Sequence, residues 1–224
     1  MQERKSKKVL IYFFLFLIIG TFHNKDLNEL GSVKLDQISI TGLDEKHNYK
    51  LLKNLDFLKN RNLFLLNKIE VTDIINENSL VEKYSVFKKY PSSLSIKIDK
   101  TNFLARTKKD DHTFLLGSNG KFTKVNYENY DIPFIFGNFE IMNFFDLKKA
   151  IKESDFNYKE IKNLFFFKSG RWDIETNDGL LIKLPRENIK KSLEMVLIFF
   201  EKNEKKKVKI IDLRQPHQII IDAR

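Results

Sequence analysis

The chain has 224 residues, no cysteine, and 40 basic against 30 acidic side chains, for a formal charge of +10. That length fits two small domains or one large one with real cores, and the missing thiols exclude a disulfide scaffold, a thiolate metal site and a cysteine nucleophile. Surplus lysine is scattered through a sequence rich in Asn, Ile and Phe, and the one dense cluster, residues 202–209, has no interleaved aromatics. This argues for a solvated helix end running into a strand and against a nucleic-acid surface.

Residues 1–8 form a basic leader of net charge +3, with Arg4, Lys5, Lys7 and Lys8 against Glu3, and an uncharged apolar run follows over residues 9–22. A basic leader before an apolar run follows the positive-inside pattern. Such a run rises only about 21 Å against a hydrocarbon core of about 30 Å, which favours a cleaved signal. Its exit, Gly20-Thr21-Phe22-His23-Asn24-Lys25, lacks the paired small residues that a signal peptidase reads. Lys7 and Lys8 can reach back to the headgroups while the bilayer thins. The expectation is therefore a single-pass anchor over 9–24 with Val9, Leu10, Phe13, Phe14, Leu17 and Ile18 in lipid, the leader cytoplasmic and the remainder exported with a charge of about +7.

Residues 25–32 are polar and read as a linker. A strand over 33–40 stops at Thr41-Gly42, and Asp44 can cap a helix that carries Leu51, Leu52, Leu55 and Leu58. Asn67-Lys68-Ile69-Glu70 resembles a capping box for a second helix with Val71, Ile74 and Ile75 on one face. Strand-like runs at 80–89 and 94–99 flank the turn Tyr90-Pro91-Ser92-Ser93, so the pattern predicts β-α-α-β-β. From Phe103 the texture changes to short strands. Asn119-Gly120 turns a hairpin of 113–116 and 121–125, and Asn143 can cap a helix with Leu147, Ala150 and Ile151. A meander follows over 161–167, 171–176 and 180–184. After Pro185 comes a helix with Ile189, Leu193, Val196, Leu197 and Phe200 on one stripe, then strands at 207–213 and 218–221. The predicted class is α+β, a mostly antiparallel sheet faced by helices.

Catalytic patterns are missing. His23, His47, His112 and His217 stand apart, Asp110-Asp111-His112 precedes a tight turn, and neither a nucleophile elbow nor a phosphate-cradling glycine loop occurs. No enzyme, metal or cofactor is expected. Trp172 reads as core, whereas Arg171 beside it either pairs with a carboxylate such as Asp212 or reaches a partner.

Several motifs form an ordered series. In the first half it comprises Thr41-Gly42, Asn62-Leu63-Phe64 and the turn Tyr90-Pro91-Ser92-Ser93-Leu94. Downstream it comprises 116–122, Asp131-Ile132-Pro133 with Gly137, Arg171-Trp172-Asp173-Ile174, 179–185 and Ile211-Asp212-Leu213-Arg214. This series resembles the FtsQ/DivIB family of bacterial cell-division proteins. The chain departs from the family pattern in lacking a proline at 101–105, and in Gln215 where some members have an aromatic. The resemblance implies a POTRA domain over 33–102 and a β-domain over 103–224, built as a non-enzymatic scaffold of the inner-membrane division septum. It implies that the β-domain binds the coiled-coil division proteins FtsB and FtsL by strand addition at the last strands, while the POTRA domain contacts other division proteins. The implied partner residues are Arg171, Ile211, Asp212, Leu213, Arg214, Gln218, Ile219, Ile220 and Ile221. A second reading is a POTRA module of a transport or outer-membrane assembly machine, although nothing in the chain repeats.

Overall fold

The computed structural model describes residues 3–21, 34–125, 130–202, 208–215 and 218–223. The expected linker at 25–32, the strand start at Val33, His23, His217 and most of the lysine cluster at 202–209 lie outside the described residues. Contacts divide the chain into two compact units, 1–77 with 84–98, and 78–83 with 99–224.

The first helix, α1 (Glu3–Thr21), overturns the membrane-spanning anchor of the expected fold class. It starts inside the leader and carries Glu3, Arg4, Lys5, Lys7 and Lys8 at its beginning. Only residues 9–21 are free of charge, a rise of about 20 Å against the roughly 30 Å of a hydrocarbon core. Among the described residues no helix is long and apolar enough to cross a membrane. Val9, Leu10, Phe13, Phe14, Leu17 and Ile18, expected in lipid, are exposed side chains of this helix.

The first unit follows the β-α-α-β-β order: β1 (Gln37–Thr41), α2 (Glu45–Leu55), α3 (Lys68–Glu77), β2 (Val81–Lys89) and β3 (Ser93–Lys100). The Asp44 side chain accepts from the His47 N–H at 3.1 Å and so fixes the start of α2. Leu58 sits in a short 3₁₀ turn that extends that helix. At α3 the capping box is incomplete. Asn67 Oδ1 accepts from the Ile69 N–H at 3.0 Å, but Glu70 turns to Arg61 at 2.6 Å instead of reaching back to residue 67. The sheet order is β1-β3-β2, with β1 parallel to β3. Leu51, Leu55, Val71 and Ile75 of the helices and Ile38, Leu94 and Ile96 of the sheet are all buried; each fully buried aliphatic side chain contributes about 1.5–3 kcal/mol. Gly42 has φ +116°, and a Cβ there would fall 1.7 Å from the Ile98 carbonyl oxygen, so this junction admits only glycine.

Among its described residues, the second unit holds a nine-stranded sheet and two α-helices. Its strands are β4 (Phe103–Lys109), β5 (His112–Gly117), β6 (Phe122–Val125), β7 (Phe134–Phe136), β8 (Ile161–Phe166), β9 (Trp172–Thr176), β10 (Leu181–Lys183), β11 (Val208–Asp212) and β12 (Ile220–Ala223). Helix α4 (Ile141–Glu153) links β7 to β8 and α5 (Ile189–Lys202) links β10 to β11. The order is β12-β11-β10-β9-β8-β7-β4-β5-β6, and five of the eight neighbouring pairs are antiparallel. The three parallel pairs include both pairs that a helix crossover connects, as parallel neighbours require. Strands β4 and β7 are additions to the sequence reading. Helix α4 also starts earlier than expected: Glu140 holds the N-cap, and Asn143, expected there, sits one turn in and accepts from the Glu140 N–H at 3.2 Å.

Register puts Ile135, Leu164, Ile174, Ile182 and Ile211 in one buried row across five strands. Phe144, Leu147 and Ile151 of α4 and Leu193 and Val196 of α5 join the same core. The opposite face carries a parallel row, Phe136, Phe165, Asp173, Lys183, Asp212 and Ile220. One face is thus the core and the other holds the charged and aromatic groups, as a half-covered sheet with period two dictates.

Candidate partner-binding edge

Strand β12 ends the sheet order, so among the described strands its outer side carries no ladder partner. It pairs antiparallel with β11, Ile221 opposite Ile211 and Ile220 opposite Asp212. Ile220 and Ile221 remain 52% and 41% exposed. An apolar edge strand of this kind is a template for another chain. The opposite edge is β6, where Phe122 meets Phe114 and Phe139 edge-on at 6.5 and 6.3 Å.

The nine residues that sequence assigned to a partner divide between the two faces. Ile211 and Leu213 are buried in the core, and the backbone of Ile211 is already paired with β10 on one side and β12 on the other, so neither residue meets a partner directly. Ile219 is partly buried against that core, and Gln218 is exposed. Asp212 and Arg214 alternate onto the outer face. There the Arg214 guanidinium grips the carboxylate, Nε donating to both Asp212 oxygens at 2.8 and 2.9 Å, Nη2 to one of them as well, and the backbone N–H to Oδ1 at 3.0 Å.

Arg171 pairs with a carboxylate of its own domain, the first of the two expected routes, but with a different one. Its carboxylate is Asp173, two residues along the chain, Nε to Oδ1 at 3.2 Å, and not Asp212. Its guanidinium also lies 4.4 Å from the centre of the Phe167 ring. Asp212 is held by Arg214, and strand β10 stands between the two pairs. Asp173 was missed by sequence reasoning, although period two places residues 171 and 173 on one face.

The two carboxyls of this row are displaced in opposite senses. Burial pushes Asp173, 4% exposed, above its ordinary value despite the nearby charges of Arg171, Arg214 and Lys183. Hydrogen bonds from Arg214 hold Asp212 below it, with burial opposing. Asp212 therefore contributes stability above the ordinary 3.8 that is lost as pH falls through its lowered value. Asp173 favours folding when protonated, an effect lost as pH rises through its raised value. A carboxyl-carbon NMR titration is expected to give a midpoint below 3.8 for Asp212 and above 3.8 for Asp173; the reverse order would contradict the geometry.

Behind the row, Trp172 is 2% exposed and packs on Phe166 and Phe139 with ring centres 4.7 and 6.0 Å away. Phe136 and Phe165 stack at 5.1 Å on the outer face, a pair the sequence did not single out. Among the described residues, no three His, Asp or Glu side chains are grouped to hold a metal ion.

Comparison with known proteins meets this geometry at both units. The model of the C-terminal domain of cell division protein FtsQ/DivIB matches residues 105–214, which takes in Arg171, Trp172, Asp173 and the Asp212–Arg214 clamp and stops short of β12. The model of the FtsQ-type POTRA domain matches residues 33–100. Cell division protein FtsQ of Rickettsia bellii (strain RML369-C) is 25% identical over 199 residues, covering 87% of this chain and 73% of the relative. A solved structure of the major extracytoplasmic domain of the trans isomer of DivIB from Geobacillus stearothermophilus is 13% identical, with a TM-score of 0.33, over 47% of this chain and 98% of that one. Two domain matches from one family, in that family's order and across both units, together with a relative of the same name, make this chain a member of the FtsQ/DivIB family of cell-division proteins.

Proposed function

We propose that the chain is a non-catalytic scaffold of the inner-membrane division septum whose β12 edge accepts an added strand from the division proteins FtsB and FtsL, so coordinating septal peptidoglycan synthesis. The observation that carries this is the terminal position of β12 with Ile220 and Ile221 exposed on its two sides. Main-chain hydrogen bonds would supply affinity and alternate side chains specificity. Arg171 is three strands in from β12, about 14 Å at the usual spacing, so it meets only a part of the partner that lies across the outer face. In this reading, POTRA contacts with further division proteins are secondary.

Purified chain and FtsB make the test. Ile220→Asp sets a charge on the strand edge opposite Asp212 and is expected to weaken binding at least tenfold, while the circular dichroism spectrum is kept. Arg171→Ala is expected to weaken it by a smaller factor. Unchanged affinity in Ile220→Asp sinks strand addition at this edge. A fluorescent fusion spread evenly around the envelope, without midcell enrichment, argues against the septal role.

A further inference from the structure

The second unit carries a cleft unconnected with the β12 residues. Its floor is Tyr158, whose hydroxyl donates to the Leu104 carbonyl oxygen at 2.7 Å and so locks the ring. Lys148 of α4 lays its ammonium 3.8 Å from the centre of that ring. The cleft opens to either side of this pair. One lobe, about 300 Å³, is bordered by Arg106, Lys159 and Lys162, and the other, about 660 Å³, by Lys149, Lys152 and Phe145. The lining acids are Asp131 and Asp155, one in each lobe.

Lys148 is the anomalous member of the set. Lys149 has Glu153 at 3.9 Å, whereas among the described residues no carboxylate pairs with Lys148. Partial burial and the like charge of Lys152, one turn away, both push its ammonium toward the neutral form. The aromatic face offsets part of that cost, but an i,i+4 pair of like charges destabilises the helix that bears it. Walls on which cations outnumber the two acids also concentrate positive potential in the space between them.

We propose that this cleft binds an acidic peptide segment in extended form, with a carboxylate on Lys148 and its apolar neighbours against Leu104 and Phe145. The cations are strung along two lobes instead of converging on one point, which suits successive acidic side chains better than a single phosphate. The apolar walls suit a peptide for the same reason. Charge complementarity identifies the occupant, and none of its contacts falls on residues assigned to β12.

The probe is a fluorescein-labelled Glu-Leu-Glu-Leu-Glu-Leu peptide, titrated with the full chain and followed by anisotropy. Saturable binding that weakens with salt is expected. Lys148→Met is expected to weaken it at least tenfold and, by removing a desolvated charge, to raise the Tm of the free protein. Lys148→Arg keeps most of the affinity, and Lys124→Met, an exposed lysine on β6, leaves it unchanged. Equal affinity in Lys148→Met and the parent chain overturns the proposal. So does an equal loss in Lys124→Met, which marks diffuse charge attraction, or displacement of the peptide by millimolar inorganic phosphate, which marks a simple anion site.

Discussion

Replacing Trp172 with alanine is expected to cost the second unit about 3–5 kcal/mol of folding stability, enough to leave a substantial fraction unfolded at physiological temperature. Trp172 is the one tryptophan of the sequence, it is almost wholly buried, and its ring holds Phe166 and Phe139 together. Phe139 in turn packs on Phe144 of α4 at 6.5 Å, so the indole bridges the sheet and the helix above it. Truncation leaves a cavity that these rings cannot close without moving α4. Because the substitution also removes the main fluorophore, urea unfolding should be followed by circular dichroism. Trp172→Phe, which keeps an aromatic in the same row, is expected to lose less. A loss below about 1 kcal/mol for the alanine variant would show that the aromatic cluster repacks around the gap.

Gly42→Ala is expected to be comparably damaging in the first unit, for a different reason. A positive φ there strains any side chain by about 1–3 kcal/mol. The added Cβ would also overlap the Ile98 backbone, with its carbonyl carbon at 2.7 Å and its nitrogen at 3.1 Å. Backbone cannot rotate away as a flexible side chain can, so β3 must shift and the parallel pairing of β1 with β3 is strained along its length. Hydrogen exchange over residues 37–41 and 93–100 is the direct readout. Accelerated exchange in both strands is expected, and protection equal to that of the parent chain would show that the turn tolerates a side chain.

These two positions also mark what was legible beforehand. Thr41-Gly42 and Asn119-Gly120 announce a strand end and a hairpin because turn chemistry is local. Apolar periodicity likewise located α2, α3 and α5, since a helix needs no distant partner to declare its face. Strand β7 was hidden: three residues after a proline carry too little alternation, and what makes Phe134–Phe136 a strand is its place between β4 and β8. Strand β4 ends in Arg106-Thr107-Lys108-Lys109, whose polar tail masks the alternation.

The same division runs through the candidate site. Ile211-Asp212-Leu213-Arg214 read as one motif is two motifs in space, with alternate residues in the core and on the outer face. Arg171 pairs with its i+2 neighbour Asp173 and not with Asp212, the example of a carboxylate that sequence offers, because sequence distance says nothing about the strand that stands between them. The helix near the amino terminus failed differently. Its short apolar run was read as completed by snorkelling lysines and a thinned bilayer, whereas the helix has too few uncharged residues to span a bilayer.

Strand β10, with three residues against five each in β9 and β11, has a mechanical meaning. The β11–β12 hairpin joins the rest of the sheet through the register pairs Leu181–Ile210, Ile182–Ile211 and Lys183–Asp212, extended by the Leu213 N–H on the Lys183 carbonyl oxygen at 2.9 Å. Tension delivered along β12 therefore crosses to β10 through three register pairs and this one added bond, loaded in shear between parallel strands. The strength of this seat is set inside the sheet, at the β10–β11 junction and not at the exposed edge of β12.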